Sequence, residues 1–484
     1  MAIRIFNTLS GRKELFKPIK KGKVGFYICG PTVYDEPHIG HLRSAYVFEV
    51  IRRYFIYRGY NVKFVRNITD VDDKIIEKAR EECKSQNQSL KEKVKEIAER
   101  YIKKYHQAME KFGISPPDIE PRATEHIPEM LKIIHALIQK KIAYEKDGDI
   151  YFKVRKFSPY GKLSHQSIED LISGVRIEPS ENKDDPLDFA LWKRAKENEP
   201  CWKSLWGEGR PGWHIECSAM SMKYLGRSFD IHGGGKDLIF PHHENEIAQS
   251  EACTGKRFAR YWIHNGLLTI NGEKMAKSLG NFISVEEILE KYHPEILKIF
   301  FLSTHYRHPI DFSYEKMEEA KKARERFYII LGMEQLNPKF KVQNSKIKEF
   351  RKKFISAMDD DFNTPQALAV LFDLVSFVHK NQDKLGIVSE AKWLLLDLGK
   401  VFGLFEECKE GIDITEDLIT LIINIRQILR ENKEFSLADK IREDLQNLGI
   451  ILEDGAEKTT WRLKTSISKA KCKNQNFILY EGAH

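Results

Sequence analysis

The stretch Val24-Gly25-Phe26-Tyr27-Ile28-Cys29-Gly30-Pro31, continued by residues 40–65, decides the fold. Residues 24–28 are rich in β-formers and predict a strand, which Cys29-Gly30-Pro31 breaks. From 40 to 58 the apolar residues Leu42, Val47, Val50, Ile51, Tyr54 and Phe55 recur at helical spacing. Gly59 supplies a stop, and residues 62–65 read as a second strand. Strand, glycine–proline turn, helix, strand is a βαβ unit. It predicts an α/β chain with a Rossmann-like parallel sheet whose ligands sit at the carboxyl ends of the strands.

Outward from this unit, residues 70–112 read as charged helix. Residues 115–195 look inserted, with turn signals at Pro116-Pro117 and Asp147-Gly148-Asp149 and short β-like pieces. Residues 213–219 and 229–232 are expected to resume the sheet as strands. Gly233-Gly234-Gly235-Lys236-Asp237 reads as a flexible turn before a helix over 242–253. Residues 314–405 are almost entirely amphipathic helix, with a start signal at Asn363-Thr364-Pro365. A helical pair follows from about 412 to 448, then a β-like piece at 449–452 and a basic tail.

The chain has 484 residues, enough for about two to four domains. With 42% hydrophobic and 31% charged residues it reads as soluble and globular, and its net charge is only +8. No apolar run approaches the roughly 20 residues of a membrane helix, and no signal peptide is evident. The seven cysteines are scattered, without a C-x-x-C pair, which fits a reducing, cytoplasmic setting.

Two short motifs carry the chemistry. Pro37-His38-Ile39-Gly40-His41 puts two imidazoles at a helix start, where free amides and the helix dipole favour phosphate. Gly40 leaves room there for a flat adenine. Gly272-Glu273-Lys274-Met275-Ala276-Lys277-Ser278-Leu279-Gly280 puts two lysines on a glycine-flanked loop, able to meet charge that develops in a transition state. Gly235-Lys236-Asp237 is no Walker motif, since Asp stands where Ser or Thr is needed. A third signal is Pro241-His242-His243-Glu244-Asn245-Glu246. His242 and Glu246 share a helical face, and with thiolates they would make a zinc site. Cys217 and Cys29, each placed at a strand end, are the candidate thiols; Cys253 lies three turns along the helix and too far.

His-Ile-Gly-His with Lys-Met-Ala-Lys-Ser resembles the class I aminoacyl-tRNA synthetases. Cys29-Gly-Pro-Thr-Val-Tyr-Asp35, Asn67-Ile-Thr-Asp-Val-Asp-Asp-Lys74, Gly212-Trp-His-Ile-Glu-Cys217, Phe240-Pro-His-His-Glu-Asn-Glu246, Met358-Asp-Asp-Asp-Phe-Asn-Thr-Pro365 and Thr460-Trp-Arg462 look like the cysteinyl-tRNA synthetase family within that class. The resemblance spans about residue 3 to Leu463. It implies one zinc per chain, held by Cys29, Cys217, His242 and Glu246, that binds the substrate thiolate; a purely structural zinc stays as the alternative. It further implies Trp213 and His232 lining the amino-acid pocket, with Thr69 nearby. Asp237 would sit on the ATP ribose beside Gly40, His38 and His41 would face the phosphates, and Lys274 and Lys277 would meet the departing pyrophosphate. Ala276 departs from the family's usual serine.

The implied activity is ATP-dependent attachment of L-cysteine to tRNA(Cys) through a cysteinyl-adenylate, with Mg²⁺ accompanying ATP, by a cytoplasmic monomer without membrane contact. The implied organisation is a Rossmann-like catalytic domain in two halves, 1–115 and 196–270, around a connective insertion, 116–195. A stem-contact region with the lysine loop (271–313), a helical bundle (314–411), a small anticodon-binding domain (412–463) and a basic tail (464–484) follow. A tRNA-independent cysteine ligase of the same lineage is the rival activity.

Overall fold

The computed structural model describes residues 2–83, 89–170, 183–275, 280–332, 343–406, 415–447, 449–454 and 459–463. The opening unit forms as its pattern predicts: strand β1 (Lys23–Ile28), helix α1 (Ile39–Tyr57) and strand β2 (Asn61–Arg66). Leu42, Ile51, Tyr54 and Phe55 of α1 are buried. Phe26 of β1 sets its ring edge-on against Phe48 of α1 at 6.1 Å and Phe64 of β2 at 5.2 Å, so α1 covers one face of the sheet. Tyr27, its neighbour in sequence, points to the opposite face, as strand alternation requires.

That second face is covered by helices α2 (Trp213–Leu225) and, after strand β3 (Phe229–Gly235), α3 (Glu244–Thr254); strand β4 (Ala259–Asn265) completes the set. The sheet order is β4-β3-β1-β2, and every pairing is parallel. The chain steps from β1 to β2 in one direction and from β3 to β4 in the other. The crevice between β1 and β3 is therefore the switch point where open α/β sheets bind ligands.

Three local expectations are corrected. Residues 213–219 are the start of α2, not a strand. Ile215, Glu216, Cys217, Ser218, Ala219, Met220 and Ser221 are buried in succession, and a helical stretch with every side buried shows no periodicity to separate it from a buried strand. Gly233, Gly234 and Gly235 are sheet rather than turn. A Cβ on Gly234 would stand 2.9 Å from the His243 ring, so glycine there serves close packing. The helix expected from 242 begins at Glu244, because Phe240 is extended ahead of Pro241.

The inserted sheet is antiparallel and joins Ala143–Lys146, Asp149–Phe152, Phe189–Arg194, Gly207–Pro211 and Trp202–Ser204 in that order. It runs past residue 195, so the chain regains the central sheet only through α2. The charged region after 70 is two helices, Asp73–Cys83 and Leu90–Phe112, the second capped by Ser89 and Glu92. Helices Tyr314–Gly332, Ser345–Asp359, Thr364–His379 and Leu385–Phe402 follow, with Asn363 capping the third. The chain divides after Phe405 into two compact units. The second contains helices Thr415–Glu431 and Phe435–Asn447 and a hairpin of Ile450–Asp454 with Thr459–Leu463. The second hairpin strand has no counterpart among the sequence expectations. Among the described residues, no helix is long and apolar enough to cross a membrane.

Candidate active site and metal centre

Cys29 follows the last residue of β1, Cys217 lies in the second turn of α2, and His242 and Glu246 flank the start of α3. Their ligand atoms all lie within 4.8 Å of one another. Cys29 Sγ is 3.6 Å from Cys217 Sγ and 3.4 Å from Glu246 Oε1, and His242 Nε2 is 3.2 Å from the same oxygen. Cys217 reaches the cluster from a helix rather than from a strand end.

Neighbours hold these groups in place. His232 Nε2 meets the other Glu246 oxygen, Oε2, at 2.9 Å. His214 Nδ1 meets His242 Nδ1 at 3.0 Å, leaving Nε2 turned to the cluster. Asn67 Oδ1 accepts from Gly30 N at 2.9 Å and Tyr27 OH at 3.1 Å, and Cys217 Sγ lies 3.6 Å away. Gly30 makes this possible, because a Cβ there would fall 1.6 Å from Asn67 O.

The cluster is biased toward negative charge. Burial opposes ionisation of Glu246, but His232 and His242 outweigh it and hold the carboxyl down at about 2. Burial also opposes the Cys217 thiolate, yet the Cys29 thiol and His242 bring it down to about 6. Cys29 itself is pushed up, by burial first and then by Cys217. His242 is raised to about 10 despite its burial, because it stands beside Cys217 and Glu246. Two sulfurs, an imidazole and a carboxylate converging with this bias fit a zinc ion, whose ligands are tetrahedral N, S and O donors.

A second set, Cys29, His232, His243 and Glu246, is equally compact. His243 Nε2 lies 3.3 Å from Cys29 Sγ, while its Nδ1 meets His264 Nε2 at 2.8 Å. The sequence expectations assign no role to His243. Its signal is there in the His242-His243 pair, but only the wide turn before α3 brings both imidazoles to one point.

At the same carboxyl end of the sheet, α1 begins with a reciprocal cap made of imidazoles. His38 Nδ1 accepts from Gly40 N at 3.1 Å and His41 N at 3.4 Å, and His41 Nδ1 accepts from His38 N at 3.4 Å. The two rings stack with centroids 3.7 Å apart. The space over Gly40 is taken by the His38 ring and the Met275 methyl, at 2.9 and 3.4 Å from an added Cβ. In this geometry that space is filled rather than open, and phosphate at the helix start would compete with His38 for the same amides.

Residues 15–322 match the family described as tRNA synthetases class I (C) catalytic domain, and residues 353–406 match the DALR domain. The chain is 52% identical to a cysteine–tRNA ligase of Persephonella marina, covering 96% of this chain and 100% of the relative. It is 50% identical to that of Aquifex aeolicus, covering 96% and 99%. The chain belongs to the cysteine–tRNA ligase family. It is an enzyme of the class I synthetases. A methionyl-tRNA synthetase of Mycobacterium tuberculosis in complex with methionyl-adenylate shares the fold, with a TM-score of 0.54 at 14% identity over 78% of this chain and 89% of that one. An Agrobacterium radiobacter LeuRS-tRNA-LeuAMS complex does so at 0.58 and 10%, over 82% and 86%.

Of the other residues that the ligase resemblance singles out, Trp213, Thr69 and His232 touch the cluster or the loop after Cys29. Trp213 opens α2 with its ring 4.2 Å from that of His242, and is 38% exposed. Thr69 is buried and donates to Glu216 Oε2 at 3.0 Å; its backbone pairs with the loop after Cys29 through Thr69 N to Pro31 O and Val33 N to Thr69 O. His232 is fully buried and stacks on Trp262 at 4.4 Å, so it braces Glu246 from within the sheet. Asp237 is exposed on the turn Lys236–Leu238 beyond β3. Lys274 ends a short hairpin, Glu273–Lys274 on Leu268–Ile270. Lys277 and Ala276 lie outside the described residues.

Proposed function

We propose that this chain attaches L-cysteine to tRNA(Cys) in two steps, using ATP. A cysteine carboxylate oxygen bonds to the α-phosphorus of ATP, the bond to the bridging oxygen breaks, and pyrophosphate leaves; Mg²⁺ would accompany the ATP and supply countercharge to its phosphates. A terminal ribose hydroxyl of the tRNA then attacks the cysteinyl-adenylate carbonyl and releases AMP. The observation that carries this reading is the convergence of Cys29, Cys217, His242 and Glu246 at the carboxyl end of the sheet, the end where α1 starts with His38–His41, in a class I fold.

Cys29, Cys217, His242 and Glu246 would hold one zinc. That ion supplies a soft Lewis acid, which prefers sulfur to a hydroxyl far more than apolar contacts could. Trp213 would close the pocket over the side chain, and Thr69 would shape its wall. His232 keeps Glu246 oriented. Asp237 would accept from the ribose hydroxyls, with Gly40 beside the base once the His38 ring and the Met275 methyl have moved aside. His38 and His41 would donate to the phosphates, and Lys274 and Lys277 would meet charge as it gathers on pyrophosphate. Such stabilisation, confined to the transition state, raises kcat rather than affinity. The helical region and second unit would hold the tRNA. The scattered free cysteines favour a reducing, cytoplasmic setting, and the reading is of a monomer.

Pyrophosphate exchange into ATP that requires cysteine, ignores serine and proceeds without tRNA, together with tRNA-dependent charging, is the expected result. Exchange without charging of any tRNA would favour the tRNA-independent ligase. Absence of cysteine-dependent exchange would remove both.

A further inference from the structure

Arg43 stands two residues beyond His41 on α1 and is 1% exposed. No carboxylate pairs with it among the described residues. Its Nη1 donates to Gly266 O and Leu267 O, both at 2.7 Å, and its Nη2 to His308 O at 2.6 Å. Burial pulls the guanidinium down to about 10, which leaves it charged at neutral pH. A buried cation balanced only by carbonyl dipoles is a costly way to fill space, and an apolar side chain of similar volume would do that more cheaply. What the planar fork adds is geometry: it ties three carbonyls to one point on a helix.

Those carbonyls root the small sheet that bears Lys274. Leu267 leads directly into Leu268–Ile270, which pairs antiparallel with Glu273–Lys274, and His308 leads into Ile310–Phe312, which pairs parallel with Leu268–Ile270. The convergence depends on Gly266, where a Cβ would stand 2.2 Å from His308 O. A second tie runs from Ser44 Oγ to Asn265 Oδ1 at 3.0 Å. The 306–308 segment is braced from behind, with Tyr306 OH and Arg307 Nε on the two oxygens of buried Asp361 at 2.8 and 2.7 Å.

We propose that Arg43 is a positioning residue, whose guanidinium sets the spacing between the His38–His41 end of α1 and the hairpin carrying Lys274. This rests on the reading that both ends act on one triphosphate. The cysteine-binding side is anchored separately, through β1, α2 and α3. Loss of the fork therefore misplaces the phosphate machinery and spares the amino-acid pocket.

The test uses the full chain with Arg43→Lys, which keeps the charge but not the fork, Arg43→Met, and Gly266→Ala, which displaces His308 O without touching the arginine. Steady-state cysteine-dependent pyrophosphate exchange, zinc content and thermal unfolding are measured for each. The expected split is a kcat lower by about 100-fold, the scale of an ångström misplacement, with zinc content unchanged. The KM for cysteine should stay within about twofold, as an interaction made only in the transition state requires. Wild-type kcat in Arg43→Lys and Arg43→Met overturns the proposal. So does a joint fall of kcat, zinc content and unfolding temperature in all three variants, which marks a structural role only. A wild-type chain without cysteine-dependent exchange overturns the proposed function itself, and this inference with it.

Discussion

Asn67 illustrates how one side chain can organise several others. Its amide oxygen takes the Gly30 amide and the Tyr27 hydroxyl and lies against Cys217. Asn67→Ala leaves a buried hydroxyl and a half-buried amide unmatched, and should destabilise the chain by about 1–3 kcal/mol in urea unfolding. Cys217→Ser replaces a sulfur that the cluster favours as a thiolate. Zinc content should fall to background in metal analysis, and cysteine-dependent exchange should fall with it by at least about 100-fold, the upper range for disturbing even an outer partner of a metal ligand. A serine variant that keeps full zinc and full exchange would remove Cys217 from the ligand set. These residues were legible in sequence because cysteine, histidine and glutamate are chemically distinctive. His243, His264 and His214 were not singled out, since a histidine announces a partner without naming it.

At the scale of elements, local signals set most boundaries. Asn363 and Pro365 start their helix, and Ser89 with Glu92 starts another, because capping satisfies amides that no helical carbonyl can reach. Signals failed where consecutive residues are buried, as over 215–221 of α2 and at Gly233 and Gly234 of β3. In the second unit, the end of strand Ile450–Asp454 supplies a carboxylate that pins a helix. Buried Arg426 donates both of its terminal nitrogens to Asp454 at 2.9 Å. That guanidinium foremost holds Asp454 down at about 2, below its ordinary value of about 3.9. A carboxyl depressed in the folded state contributes stability that is complete above about pH 4 and is lost as the pH falls toward 2. Asp454 is one-third exposed, so screening reduces the effect to about 1 kcal/mol. Asp454→Asn should weaken hydrogen-exchange protection of residues 450–463 by that amount at pH 7, with the difference from wild type shrinking below about pH 4.

At the scale of the whole molecule, the division after Phe405 leaves every described residue of the crevice in the first unit. Removing residues 406–484 should leave cysteine-dependent pyrophosphate exchange intact. Charging of tRNA should fall by at least about 100-fold in kcat/KM, or roughly 2.7 kcal/mol of lost recognition. Unchanged charging would take the second unit out of tRNA binding.

The sequence by itself determined the βαβ opening, the class of fold and the chemical cast of the site, because periodicity, capping and reactive side chains are local properties. Tertiary structure alone decided that Cys217 arrives on a helix, that His243 stands level with His242, that His38 turns back over Gly40, and that Arg43 spans to Gly266 and His308. Each of these depends on which backbone segments pass within a few ångströms of one another, and spacing along the chain carries no record of that.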